Sequence, residues 1–310
     1  MLSILSAVAV AVTLVVVPAT RPAPVPLIID TDICAAVDDV PALAMANLMH
    51  SRGEAKLLGV MVDTRGEAGA AAVDVVNTHY KHPDIPIGAL KPTDGSTCEQ
   101  FAHNYAPELG KKFPHDLRGG SAAPDATALY RELLAAQPDR SVVVVSLGST
   151  TNLRNLLDAD ANLVRRKVSR LVVMGGQYPR STTEPEFNFA LDPAATTRVV
   201  HDWPTPVVFS GGELSVSFGK RIAGAGPVTE TFRIGFGAGV DGELWDVLPL
   251  YYAVHGGEHF TEVRGGSNRI GAGGANEWVS PATRDHAYLT LVTGTPDMAR
   301  IIEDMLVSAA

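Results

Sequence analysis

Apolar residues in this chain gather into short unbroken runs. Each run gives way to small or acidic residues and then to a stretch with helical spacing. Leu27 to Ile29, Ala55 to Asp63 (AKLLGVMVD), Pro86 to Leu90 (PIGAL), Val142 to Leu147 (VVVVSL), Leu171 to Met174 (LVVM) and Thr205 to Ser210 (TPVVFS) read as buried strands. Helices are expected from Asp38-Asp39 onward, over Ala70 to Tyr80, over Asp125 to Ala136, from Leu153, over Leu244 to Val254 and over Pro296 to Val307. Pro41 sits where a helix's first turn tolerates it, which puts Asp38 and Asp39 at a helix N-terminus. Strands apolar throughout that alternate with helices imply an α/β fold: a mostly parallel central sheet flanked by helices, Rossmann-like, with right-handed crossovers. From about Glu213 the pattern loosens, and RGGSNRIGAGGANEW reads as strands joined by flexible turns.

Such sheets bind ligands beyond the carboxyl ends of their strands. The residues standing there are Asp30-Thr31-Asp32, Asp63-Thr64-Arg65, Gly148 to Asn152, Gly175-Gly176 and Gly211-Gly212. The first group belongs to LIIDTDICAAVDDVPALAM, which places Asp30, Asp32, Asp38 and Asp39 around one loop between a strand and a helix. A helix dipole favours one or two negative charges by about 0.3–1 kcal/mol each, too little to offset repulsion among four carboxylates in a partly buried pocket. A bound cation is therefore expected. Oxygen ligands dominate the loop, pointing to Ca²⁺ or Mg²⁺ rather than zinc; Cys34 within it reads as a loop filler, with a soft-metal ligand as the alternative.

The chain has 310 residues, 46% hydrophobic and 19% charged, enough to bury a substantial core. Its net charge of -9 argues against nucleic acid and anionic membranes as partners, and Arg165-Arg166-Lys167 reads as a solvated helix end. Residues 1–19 resemble a secretory signal peptide, with cleavage expected after Ala19. An uncleaved signal acting as a membrane anchor is the alternative; after cleavage no stable membrane association is expected. Residues 20–26, with Pro22, Pro24 and Pro26, read as a stiff linker, and 27–310 as a single domain. Secretion would put Cys34 and Cys98 in an oxidising compartment, where they could pair.

DTDICAAVDDVPALA resembles the signature of the inosine-uridine preferring nucleoside hydrolase family, in the variant with two extra loop residues between its paired aspartates. GVMVDTRGEAGAAAVDVVNTHYKHPDIPIGA, VVVVSLGSTTNLRNLL, LVVMGGQYP, EPEFNFALDPAA and WPTPVVFSG are similar to further family segments in the family's order. ELWDVLPLYYAV resembles the Trp-Asp form of its late metal-ligand motif. The resemblance runs from about Leu27 to Val307. It implies the nucleoside hydrolase fold and calcium-dependent hydrolysis of the N-glycosidic bond of ribonucleosides to free base and ribose. Ca²⁺ would be held by Asp32, by Asp39 through both oxygens, by the backbone carbonyl of Thr151 and by Asp246. Asp32 would also be the general base, Asp38, Met174, Glu186 and Asn188 would grip the ribose, and Asp30 would support the loop from behind.

The sequence departs from the family pattern at four places. The variant commonly has glycine at the position of Cys34, so a positive φ there would strain the loop. It commonly has an acidic residue at the position of Ala36, and DTRGEAG lacks the family's usual asparagine, leaving Arg65 or Glu67 to fill the space. Trp245 stands where many members carry a histidine that protonates the leaving base; an indole stacks on a base but is no acid at neutral pH.

Other groups fit less well. Gly256-Gly257 would break a helix between His255 and His259, against a metal pair; Tyr251 and Tyr252 read as core; and Ser146 and Ser210 lack a nucleophile elbow. Alone, Glu186 and Asn188 in PEFNF alternate like a strand or loop. Two rivals to the hydrolase stand: a nucleoside- or ribose-binding protein with impaired catalysis, and a haloacid dehalogenase-type phosphatase, whose later lysine and Gly-Asp pair are not found. The expected partner is a small nucleoside; homo-oligomerisation is left open.

Overall fold

Aliphatic runs without a polar face can pair only where both faces of the sheet are covered. The computed structural model describes residues 22–34, 36–95, 104–182 and 184–308; the expected leader, residues 1–19, and Cys98 lie outside them. The strands are β1 (Val25–Thr31), β2 (Ala55–Val62), β3 (Ile87–Ala89), β4 (Val142–Ser146), β5 (Val168–Met174), β6 (Val207–Ser210), β7 (Val216–Phe218), β8 (Gly242–Leu244), β9 (Phe260–Val263), β10 (Ser267–Ile270), β11 (Asn276–Val279) and β12 (His286–Leu291). The helices are α1 (Asp39–Ser51), α2 (Glu67–His79), α3 (Ala106–Lys112), α4 (Ala126–Ala135), α5 (Thr151–Lys167), α6 (Phe187–Leu191), α7 (Pro193–Asp202), α8 (Pro227–Gly235), α9 (Val247–His255) and α10 (Thr295–Val307).

Eight strands form one sheet in the order β3-β2-β1-β4-β5-β6-β12-β9, parallel except for β9 against β12. The mostly parallel α/β architecture expected from the sequence is the observed one. Leu27 and Ile29 face one apolar core, covered by α1, α2, α9 and α10; Ile28 faces the other, beneath α4, α5 and α7. That alternation along β1 is the strand period at work. After β1 the chain builds β2 and β3 on one side and then returns to lay β4 on the other. The reversal opens a crevice beyond the carboxyl ends of β1 and β4, the place where such sheets take ligands.

Several boundaries differ from expectation. The proline-rich linker was expected to run to residue 26, yet β1 begins at Val25, whose N–H donates to Glu54 O at 3.0 Å. Pro26 is tolerated because pairing with β4 begins only at Leu27, beyond its missing N–H. The helix expected from Leu244 starts at Val247, since Gly242 to Leu244 pair with β7. PEFNF is neither strand nor loop: Glu186 caps the short helix α6, accepting the N–H groups of Asn188 and Phe189. The edge strand β9 (FTEV) is half polar because only one side of it is paired, which hides it from a search for apolar runs.

Candidate active site

The chain just after β4 passes so close to the residue after β1 that Gly148 has no room for a side chain. A Cβ there would sit 2.5 Å from Cβ of Asp32 and 2.7 Å from its backbone nitrogen. The Leu147 N–H to Asp30 O bond, 2.8 Å, ties the two strand ends together. Around this junction Asp30, Asp32, Asp38, Asp39 and Asp246 are all buried. Asp38 joins regions far apart in sequence: its Oδ2 accepts the backbone N–H groups of Trp245 at 2.7 Å and Asp246 at 3.1 Å. Carboxylate oxygens of Asp38, Asp39 and Asp246 lie within 4.8 Å of one another. Asp32 stands near these three with its Oδ2 buried and without a hydrogen-bond partner.

Burial pushes Asp32 up to about 8, with the neighbouring Asp38 charge adding to the effect. Burial likewise holds Asp39 and Asp246 well above the carboxylate range, reinforced by the other aspartates. Asp30 lies behind the loop, where Tyr130 OH donates to it at 2.7 Å and Asn152 Nδ2 at 3.1 Å; burial raises it to about 7. Three mutually adjacent carboxylates at 4.8 Å, all ionised, would repel by roughly 10 kcal/mol in total at an effective dielectric constant of about 20. Among the described residues no lysine, arginine or histidine forms an ion pair with any of them: the recorded pairs lie elsewhere. The arrangement thus fits a divalent cation, which would supply the missing positive charge. The donors are hard oxygens; Cys34 is disulfide-bonded, so it offers no thiolate and the soft-metal alternative falls away.

A cavity of about 460 Å³ opens above this floor, lined by Asp32, Asp38, Asp246, Met174, Glu186, Asn188 and Trp245 among others. Sequence-predicted residues from four separate segments therefore meet in one place. Glu186 is fixed by the N–H groups of Gly176 at 2.9 Å, Asn188 at 2.8 Å and Phe189 at 3.2 Å, and burial raises its pKa. Asn188 Nδ2 donates to Leu147 O at 2.8 Å and lies 3.0 Å from Met174 Sδ, which leaves its own carbonyl oxygen for the cavity. The Trp245 indole donates to Gly212 O at 2.9 Å, holding the ring as a wall. Thr151 lines a neighbouring cleft instead; its hydroxyl donates to Asp192 at 2.9 Å. His255 and His259 stand apart: His255 faces Glu54 at 3.6 Å and His259 bonds Thr293 at 2.8 Å.

Sequence reasoning placed Asp63 after a strand without giving it a role. It is buried against Asp30 and Asp32, neither of its oxygens has a donor, and burial together with those charges holds its pKa well up. VMVD repeats the strand-then-aspartate pattern of LIID, which is the signal that marks it. Cys34 adopts φ 122°, so the strained turn follows from the missing glycine.

The sequence profile of the inosine-uridine preferring nucleoside hydrolases matches residues 27–230. A non-specific ribonucleoside hydrolase of Klebsiella pneumoniae (strain 342), RihC, is 30% identical over 182 residues, 57% of this chain; the matched stretch spans only 58% of that relative's length. Among solved structures, the purine-preferring ribonucleoside hydrolase from Gardnerella vaginalis superposes with a TM-score of 0.72 at 16% identity, covering 92% of this chain and 98% of that one. The type III effector protein XopQ, solved in complex with adenosine diphosphate ribose, gives 0.68 at 18% identity and 94% coverage of each chain.

Proposed function

Because this chain belongs to the inosine-uridine preferring nucleoside hydrolase family, we propose that it hydrolyses the N-glycosidic bond of ribonucleosides, releasing free base and ribose with Ca²⁺ as cofactor. The observation that carries the reading is the buried cluster of carboxylates at the floor of a cavity with an aromatic wall. The family resemblance implies Asp32, Asp39, the Thr151 carbonyl and Asp246 as ligands; of these Asp39 and Asp246 converge, with Asp38 beside them, while Thr151 lines the adjoining cleft. Bound there, the cation would let these groups ionise together and would acidify the attacking water.

Each residue has a task. Asp32, deprotonated, accepts the proton of the attacking water; its Oδ2 is free of any other bond. Asp38 spends one oxygen on the Trp245 and Asp246 amides and keeps the other for a ribose hydroxyl. Glu186, held by three backbone donors, presents a pre-oriented carboxyl, and Asn188 an amide oxygen, so hydroxyl contacts can tighten as the sugar gains oxocarbenium character. Trp245 stacks on the base but has no proton to give at neutral pH. Substrates whose leaving group needs no protonation should therefore turn over fastest. The Cys34 disulfide supports an oxidising compartment, in keeping with export.

The protein without residues 1–19 should release base from inosine and uridine, and phenol from a nitrophenyl riboside, with calcium and not with a chelator. Trp245 at the histidine position favours one second reading, a nucleoside- or ribose-binding protein. Ribose binding by folded, calcium-loaded protein with no release from any of the three substrates would select it.

A further inference from the structure

Between Asp32 and the Asp38-Asp39 pair, the loop must hold an unfavourable backbone. Cys34 sits at φ 122°, a region an L side chain enters only when its surroundings over-determine it. Two constraints converge on this residue. Its sulfur is in a disulfide, and the sequence contains one other cysteine, Cys98. Its N–H donates to the hydroxyl of Tyr105 at 3.1 Å. Tyr105 caps α3, seven positions beyond Cys98, and is fully buried.

The same hydroxyl has one proton, and its shortest contact is the Ala36 carbonyl at 2.6 Å; Asp39 Oδ2 lies 3.5 Å away. One oxygen atom therefore accepts from the strained residue itself, donates to the carbonyl two residues on, and stands beside the carboxylate that follows. The polar neighbours of the hydroxyl lie in this loop, Cys34 and Ala36, and at the first residue of α1, Asp39; none is part of α3 or the sheet. A ring that only filled the core would not need the oxygen. Thr31 donates to Oδ1 of Asp39, so the Asp39 carboxylate is oriented at one oxygen by β1 and neighboured at the other by Tyr105.

We propose that Tyr105 is a positioning residue for the metal-ligand loop: its hydroxyl clamps Cys34 and Ala36 across the strained turn and so presets the spacing of Asp32 and Asp39. This rests on the reading that those aspartates hold a divalent cation. The disulfide keeps the strained residue from relaxing away, and the tyrosine sets which way its amide points. Without the hydroxyl the loop would sample conformations in which the ligands are apart, and cation binding would have to select the competent one at a cost in apparent affinity.

The test is calorimetric titration of the metal-free, disulfide-intact protein with calcium chloride, for wild type and Tyr105→Phe. Losing a buried two-sided bond should weaken calcium binding about tenfold. The calcium concentration for half-maximal turnover of a nitrophenyl riboside should rise in parallel, while KM at saturating calcium stays put. A structural role alone would lower the melting temperature without that selective shift. Equal affinity in the two proteins overturns the inference and leaves the calcium reading intact; absence of calcium binding in wild type overturns both. Should Tyr105→Phe fail to fold, amide exchange in metal-free wild type decides: a Cys34 amide as protected as those of β1 supports the clamp, and one exchanging at an exposed rate overturns it.

Discussion

Gly148→Ala should damage the site from a position that has no side chain of its own in it. The added methyl carbon would lie 2.5 Å from Asp32 Cβ, 2.7 Å from Asp32 N and 2.7 Å from Asp63 Oδ2. Carbon atoms in contact sit about 3.5–4.0 Å apart, so roughly 1 Å of displacement is needed. Little can yield, because β1 is hydrogen-bonded between β2 and β4 and the Leu147 N–H holds Asp30 at 2.8 Å. Asp32 is the residue the added methyl meets first, so the displacement falls on the proposed base. Overpacking of this kind costs about 1–3 kcal/mol of stability. A misplacement of about 1 Å in a catalytic group costs about 100-fold in rate, or roughly 2.7 kcal/mol of transition-state stabilisation. The assay is kcat/KM on a nitrophenyl riboside at saturating calcium, beside urea unfolding. Gly257→Ala, where an added Cβ meets nothing within 4 Å, is the control and should leave both unchanged. A Gly148→Ala protein with turnover within twofold of wild type would refute the argument that this close approach sets Asp32.

Three further outcomes are expected. Asp32→Asn removes the proposed proton acceptor and should lower kcat by about 10²–10⁴, measured by base release from inosine; full turnover in that variant removes Asp32 from the role. Asp38→Ala strips the Trp245 and Asp246 amides of their acceptor, and with about 1–3 kcal/mol for each buried donor left unpaired, calcium affinity by calorimetry should fall about 100-fold; an unchanged Kd contradicts it. In chelator, Asp30 and Asp32 carry folded-state values of about 7 and 8 against an ordinary 3.8, so the folded state holds the extra protons between those limits. Their contribution is complete below about 4 and is lost as pH rises toward 8, so the melting temperature of metal-free protein should fall across that window, while saturating calcium should flatten the trend. A metal-free melting temperature that climbs with pH would show that these groups are ionised in the fold.

Periodicity alone determined the architecture. Continuously apolar runs such as VVVVS can be satisfied only as buried parallel strands, and once strands alternate with helices the ligand edge follows from topology. The aspartates between the end of β1 and the start of α1 were legible for the same reason: four like charges so close in sequence have no local compensation. Glu186 and Asn188 were legible only by resemblance, since PEFNF has no helical or strand period long enough to place it, and α6 exists because Glu186 caps it. Sequence put Asp63 and Gly148 at the ligand edge of the sheet, but what they do there, and that Tyr105 joins them, was decided only in three dimensions. Asp63 matters because β2 pairs with β1, Gly148 because β4 returns on the other side, and Tyr105 because its hydroxyl crosses 71 residues of sequence to reach Cys34. Sequence patterns report which residues a strand or helix buries. Which carboxylates share one low-dielectric pocket, and so which must find a cation, depends on distances between elements, and chain closure alone sets those.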